Sequence, residues 1–414
     1  MKIAITGMGA ATAAGYGVAP LVDTLRSGRS QMVAGAPLEP PVLARLPDSK
    51  PGSPPGAVEV PAGVTRLLAR SGPELQALVW AGMEAWVDAS LHGGAVPPRR
   101  IGLVIAGHNL TQSRALEVEL TYAGRRRYVS PRFVQESLDS TALGIVSEAL
   151  GIRGEGVLVG AASASGNAAL IHGCRMIADS SVDACLVLGA PTRLTAMQVQ
   201  SLANTGALGG ATQASNPRRA CRPFDEGRDG FIPGQAAAAM VLESIPSAAG
   251  RGRPMHATVL GYGSALAARS GLEPSVEAEA EAMTTALARA GLSPGRVDYV
   301  NAHGTASRLG DETEAEALRR VFGAARPWIN STKGWVGHAI HAAGVLEAVA
   351  VVAQLCGGFV HPNANLDRPI DSALHLVGPE AIDQPITHAL SNGFGFGGIN
   401  TSIAFGRAPR AEQR

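Results

Sequence analysis

The sequence predicts an α/β protein of parallel sheets covered by helices. Short β-branched runs alternate with stretches of helical apolar spacing along the chain, and the same order recurs on either side of the turn-rich segment Ser244 to Pro254. Composition agrees. Hydrophobic residues make up 46% of the 414, aromatics only 4%, and 51 are glycine, which describes a large core of Ala, Val, Leu and Ile joined by tight turns.

The elements follow in order. Met1 to Thr6 reads as a strand, with no basic region leading into a long apolar segment, so no targeting signal is expected. Ala34 to Pro61 is dense in proline and glycine without a period and is expected to be an irregular surface excursion. Gly63 to Trp86 then predicts a helix, Ile101 to Ala106 a strand, and Pro131 to Leu150 mostly helix. Gly156 to Val159 has the look of a buried strand and Asn167 to Ala178 of the helix after it. In the second half, Val297 to Thr305 reads as a strand ending at His303. Each half thus carries one reactive-looking residue after a strand, and the division expected is 1–250 and 251–414.

The link between that first strand and its helix, Gly160-Ala161-Ala162-Ser163-Ala164-Ser165-Gly166-Asn167, presents Ser163 at or beside a helix N-terminus. Free backbone N–H groups and the helix dipole stabilise developing negative charge there, which suits an acyl-transfer nucleophile; a simple N-cap is the plainer alternative. The formal net charge of +1 argues against a general nucleic-acid binder. No apolar run approaches the roughly 20 residues of a membrane span. The four cysteines have no paired spacing, which points to a reduced, cytoplasmic setting, with Cys174 a buried inert thiol.

Three distant segments complete the pattern: Asn301-Ala302-His303-Gly304-Thr305; Asn330-Ser331-Thr332-Lys333 leading to Gly337-His338 and Gly344; and Gly393-Phe394-Gly395-Phe396-Gly397-Gly398. With Ala4 to Gly9, Arg222-Pro223-Phe224-Asp225 and Asn400 to Phe405, they resemble the β-ketoacyl-acyl-carrier-protein synthases of the KAS I/II type over nearly the whole chain. The resemblance implies a thiolase-like fold, two pseudo-symmetric halves in a five-layered α/β/α/β/α sandwich. It also implies an obligate dimer, homo- or heterodimeric, whose interface includes the strand beside the nucleophile. No cofactor is implied, and the partner is an acyl-carrier protein or acyl-CoA thioester.

The departures from the family are informative. Ser163 stands where these synthases carry the acylated cysteine, His341 replaces the last glycine of Gly-His-x-x-Gly, and Tyr262 to Ser275 lacks the Asp, His and Thr of the family's substrate gate. Changes at several positions fit a naturally divergent member. By resemblance the oxyanion hole is made by the amides of Ser163 and Phe396. His303 and His338 are the candidate general bases a serine hydroxyl needs, and in the family they also stabilise the enolate from malonyl decarboxylation. Lys333 and Glu347 are expected to pair and orient the site, an exposed ion pair being the alternative. Phe394 is a supporting residue. His341 is expected to narrow the pocket, and no metal site is expected. Arg66 with Arg70, and Arg125 with Arg126 and Arg127, are candidates for carrier docking. The remaining histidines, His108 among them, are read as structural or exposed.

The function expected is therefore a ketosynthase-like acyltransferase that forms an acyl-Ser163 oxyester and passes it to an acceptor. The alternatives are a non-condensing partner of the chain-length-factor kind and a malonyl decarboxylase.

Overall fold

The computed structural model describes residues 2–47 and 60–408. In the first half, strands β1 (Ile3–Thr12), β2 (Ile101–Ala106), β3 (Gly156–Val159), β4 (Ala184–Gly189) and β5 (Ala237–Ser244) are joined through helices α1 (Pro73–Asp88), α2 (Ser140–Leu150) and α3 (Ser165–Ala178). The second half repeats the plan with β6 (Ala257–Leu266), β7 (Tyr299–Asn301), β8 (Trp328–Asn330), β9 (His388–Gly395) and β10 (Ile399–Arg407). Its helices are α4 (Val276–Ala290), α5 (Arg308–Phe322) and α6 (Ala343–Gly357).

Strand order makes the internal symmetry explicit. The first half runs β1-β5-β4-β2-β3 and the second β6-β10-β9-β7-β8, with the same sense at each step. The two sheets join edge to edge where Ile3–Ile5 pairs antiparallel with Ala257–Val259. Only the pairs at the outer end of each half are parallel, β4-β2-β3 and β9-β7-β8. Pairs involving β1, β5, β6 and β10 are antiparallel. The all-parallel expectation is therefore corrected: β9 turns straight into β10 at Phe396-Gly397-Gly398, and a link that short can only make a hairpin.

Helices α3 and α6 lie between the two sheets, α1 and α2 cover the outer face of the first, and α4 and α5 cover that of the second. The result is five layers, α/β/α/β/α. The central layer explains the composition of α6: Ile340–Gly357 is apolar enough over 18 residues to cross a membrane, but most of it is buried inside the protein. Small residues let the two central helices touch. A Cβ on Gly166 would fall 2.6 Å from the backbone nitrogen of Gly344, and one on Gly344 would fall 2.5 Å from that of Asn167.

Several local expectations change. Gly63 to Trp86 is two helices, because Gly72 and Pro73 start a new one after Ala62–Leu68. Strand β3 is an edge strand that stays partly exposed, so it is not the buried strand its composition suggested. In the excursion Ala34 to Pro61, Val42 and Leu43 are buried and pair with Val33 and Ala34, while 48–59 lies outside the described residues.

Candidate active site

Ser163 sits in a single 3-10 turn, Ala162–Ala164, at the start of α3. Ala162 adopts φ +46°, a left-handed conformation that costs a non-glycine residue about 1–3 kcal/mol. The serine two residues after Ser163 holds the turn: Ser165 Oγ accepts from the Ala161 N–H at 2.8 Å and donates to the Ala162 carbonyl at 2.7 Å. A like left-handed residue precedes α6, where Ile340, the first residue of the 3-10 turn Ile340–Ala342, has φ +49°. His341 is thus the internal-symmetry counterpart of Ser163.

The β9–β10 hairpin closes over the Ser163 turn. A Cβ on Gly395 would meet the Ala161 carbonyl at 2.6 Å, and one on Gly393 would meet Asn167 Nδ2 at 2.8 Å, so both glycines serve close backbone approach. Gly397 and Gly398 make the turn itself, with φ of +85° and +76°. Phe396, at that turn, and Ser163 line one cavity of about 850 Å³, together with Phe231, His303, His338, His341 and Phe394.

His338 Nε2 lies 2.8 Å from Ser163 Oγ. The Ile340 N–H donates to its other ring nitrogen, Nδ1, at 3.3 Å. In the neutral ring the proton is then on Nε2, so the imidazole donates to the serine oxygen. Burial, then Lys333, then His341 hold His338 well below the ordinary histidine range. His303 is held low in the same way by burial, Lys333 and His338. Its ring stands nearly perpendicular to that of His338, with centroids 5.6 Å apart, and Phe394 flanks it at 5.5 Å. Glu314, from α5, fixes the loop that carries it by accepting from the N–H groups of His303 at 2.8 Å and Gly304 at 2.7 Å. Phe231 meets His338 edge to face at 5.4 Å.

Lys333 and Glu347 form a buried pair, Nζ to Oε1 2.5 Å, with side-chain exposures of 1% and 3%. This is not the exposed ion pair of the alternative reading. Burial pushes the Glu347 carboxyl up to about 7 against the pull of Lys333. His341 is buried, bonded through Nδ1 to Thr192 Oγ1 at 2.9 Å, and pushed down to about 4 by burial and by His108. His108, read from sequence as structural or exposed, lines the cavity with its ring centroid 4.5 Å from that of His341. Nothing in its local sequence distinguished it. Tyr262, by contrast, is in β6 and faces Arg175 and Arg289, so only the end of the expected gate segment, Leu272 to Ser275, reaches the cavity.

Arg66 and Arg70 are exposed and line a separate surface cavity of about 830 Å³ with Arg114, Arg132 and Arg193. Arg125, Arg126 and Arg127 are exposed but lie outside that lining. The three arginines that join Arg66 and Arg70 are scattered over about 80 positions, which is why no sequence cluster announced them. Cys174 is buried and its thiol pushed up to about 12, as suits an inert core residue.

Comparison with known proteins agrees with this architecture. The β-ketoacyl synthase N-terminal domain family matches residues 1–248 and the C-terminal domain family residues 256–367. The chain belongs to the β-ketoacyl synthase family. It is 35% identical over 407 residues to the polyketide biosynthesis malonyl-ACP decarboxylase PksF of Bacillus subtilis, covering 97% of this chain and 95% of that protein. It is 33% identical over 332 residues to 3-oxoacyl-[acyl-carrier-protein] synthase 2 of Coxiella burnetii, covering 78% and 79% of the two chains. A crystal structure of a β-ketoacyl synthase from Burkholderia phymatum superposes with a TM-score of 0.87 at 30% identity, covering 99% of this chain and all of that one. The fold is thiolase-like.

Proposed function

We propose that the chain decarboxylates a malonyl group presented as a carrier thioester, releasing CO₂ and leaving an acetyl thioester, without acylating Ser163. One observation carries this reading: the Ile340 N–H on His338 Nδ1 puts the imidazole proton on Nε2, facing Ser163. A hydroxyl that accepts a hydrogen bond from its neighbour has no base there to activate it. The same N–H is well placed for a different task. When the malonyl C–CO₂⁻ bond breaks, its electron pair passes to the thioester oxygen as an enolate, and a neutral imidazole N–H is a donor for that oxygen. His303 lies against the same cavity, and both rings stay neutral because burial and the Lys333 charge disfavour a second positive charge. The enolate carbon then takes a proton from solvent to give the acetyl thioester. In this scheme the Lys333–Glu347 pair keeps a cation next to the rings, and Phe231 and Phe394 pack the two imidazoles into their perpendicular arrangement. A relative that covers 97% of this chain is named a malonyl-ACP decarboxylase, which agrees with the chemistry.

The acyl-Ser163 route keeps one point in its favour, the position of Ser163 at the start of α3 beside the Phe396 hairpin, where an oxyanion would be stabilised. The two readings separate in a single experiment. Incubation with malonyl-carrier should convert it to acetyl-carrier, followed by mass spectrometry, while the intact mass of the protein stays unchanged. Stoichiometric acylation of the protein mapping to Ser163, with malonyl-carrier left unconverted, would overturn the proposal in favour of acyl transfer.

The carrier is proposed to dock at the face around Arg66, Arg70 and Arg132, where Arg114 and Arg193 are paired with Glu117 and Glu136, and the chain to act as a dimer through the exposed edge of β3.

A further inference from the structure

Glu279 belongs to the first turn of α4 and is 1% exposed. Neither of its carboxyl oxygens has a hydrogen-bond or ion-pair partner among the described residues, and Oε2 is fully enclosed. Burial, reinforced by Glu314 and Asp311, holds the carboxyl well above its usual range, which favours the protonated form with its O–H donor. Its helix neighbours Ala278 and Ala282 pack in a small alanine cluster with Ala265, and that packing requires no carboxyl.

Glu279 nevertheless lines the Ser163 cavity, whose wall also includes Pro274, Ser275, Thr305 and Ser307. Among the residues that line the cavity, Leu272 and Leu309 are 49% and 53% exposed, while His338 is 3% exposed. A carrier thioester reaching the histidines must run along such a wall on a flexible arm, and the arm's amide groups lose water as they enter. An unpaired donor in the wall and an amide carbonyl stripped of water are complementary.

We infer that Glu279 is a binding residue that donates its O–H to an amide carbonyl of the carrier's arm; this rests on the reading of the substrate as a carrier thioester. The residue acts on recognition of the arm and takes no part in bond breaking.

The test compares substrates with and without the arm. Malonyl-pantetheine carries the amides, and S-methyl malonyl thioester lacks them. Glu279→Ala should lower kcat/KM for malonyl-pantetheine about tenfold through KM, leaving turnover of the armless ester unchanged. Glu279→Gln keeps an N–H donor and should stay within about threefold of the parent. Glu279→Leu fills the same space without a donor and should match the alanine variant, which separates loss of the bond from loss of the fold. The dissociation constant of acetyl-pantetheine, measured by calorimetry on all four proteins, should follow the same order. That measurement needs no turnover, so it answers the question about Glu279 even where decarboxylation itself fails. Equal loss on the armless ester, or acetyl-pantetheine binding unchanged in the alanine and leucine variants, would overturn the inference.

Discussion

Replacing Ser163 by alanine distinguishes a serine that reacts from one that only holds its neighbour. In the structure the hydroxyl makes one contact with the catalytic machinery, the 2.8 Å bond to His338 Nε2. Its removal costs about 0.5–1.5 kcal/mol if the bond merely orients the imidazole, a two- to tenfold fall in kcat for decarboxylation. The cost sits at the low end because the vacated Nε2–H faces an open cavity where substrate or water can replace the hydroxyl. Were Ser163 the nucleophile, the same substitution would abolish turnover outright. His338→Ala provides the internal scale: losing a donor aimed at a developing oxyanion costs about 2.7–4 kcal/mol, or 10²–10³ in kcat. The assay is conversion of malonyl-carrier to acetyl-carrier by mass spectrometry under single-turnover conditions, with circular dichroism confirming that both variants fold. The expected order is parent, then Ser163→Ala close behind, then His338→Ala far below. A Ser163→Ala rate at or under that of His338→Ala would refute the reasoning, since a spectator hydroxyl cannot matter as much as the donor it touches. Ser163→Cys extends the comparison: the thiol should acylate, yet carbon–carbon bond formation should stay slow because His341 and the altered gate remain in place.

Because His303 and His338 are held well below the ordinary histidine range, both rings remain neutral as pH falls through 6.5, and kcat/KM should show no histidine limb there; any change near pH 7 belongs to Glu347 and should vanish in Glu347→Gln. Lys333→Met removes one cause of the histidine depression and should move the acid limb upward; a limb at 6.5 that persists in Glu347→Gln would contradict the assignment. Glu347→Ala strands the Lys333 ammonium in the core and should lower unfolding free energy by about 3–5 kcal/mol in urea titration, with Glu347→Gln milder; equal stability would mean that water reaches the lysine. Light scattering should give a dimer at micromolar concentration, and a proline at Val157, on the exposed edge of β3, should weaken it. Reversing Arg66 and Arg70 to glutamate should raise KM for malonyl-carrier while leaving that for malonyl-CoA unaltered, whereas equal effects on both would place docking elsewhere.

The sequence by itself carried the alternation of elements and the near-repeat of its two halves, because these depend on local spacing; it offered Ser163 and His303 as residues presented after strands, and His338, Lys333 and Glu347 through the family resemblance. It did not carry strand direction: parallel and antiparallel buried strands share a composition, and only the Phe396-Gly397-Gly398 turn between β9 and β10 hinted at a hairpin. Phe231 belongs to the Arg228-Asp229-Gly230-Phe231 stretch that matches the family, but its contact with His338 was not legible. His108, Glu279 and Glu314 were hidden: His108 meets His341 from far along the chain, while Glu314 stands only 11 residues past His303 and Glu279 close behind Ser275, and no local pattern marks either carboxyl as buried. What the tertiary structure alone decided is the direction of the hydrogen bond at Ser163. A histidine is written the same way whichever nitrogen bears the proton; the choice was made by a backbone N–H two residues on, at Ile340, held in a left-handed turn where α6 begins, and by the burial that keeps the ring neutral. In the proposed decarboxylation, that contact makes His338 a donor and not a base.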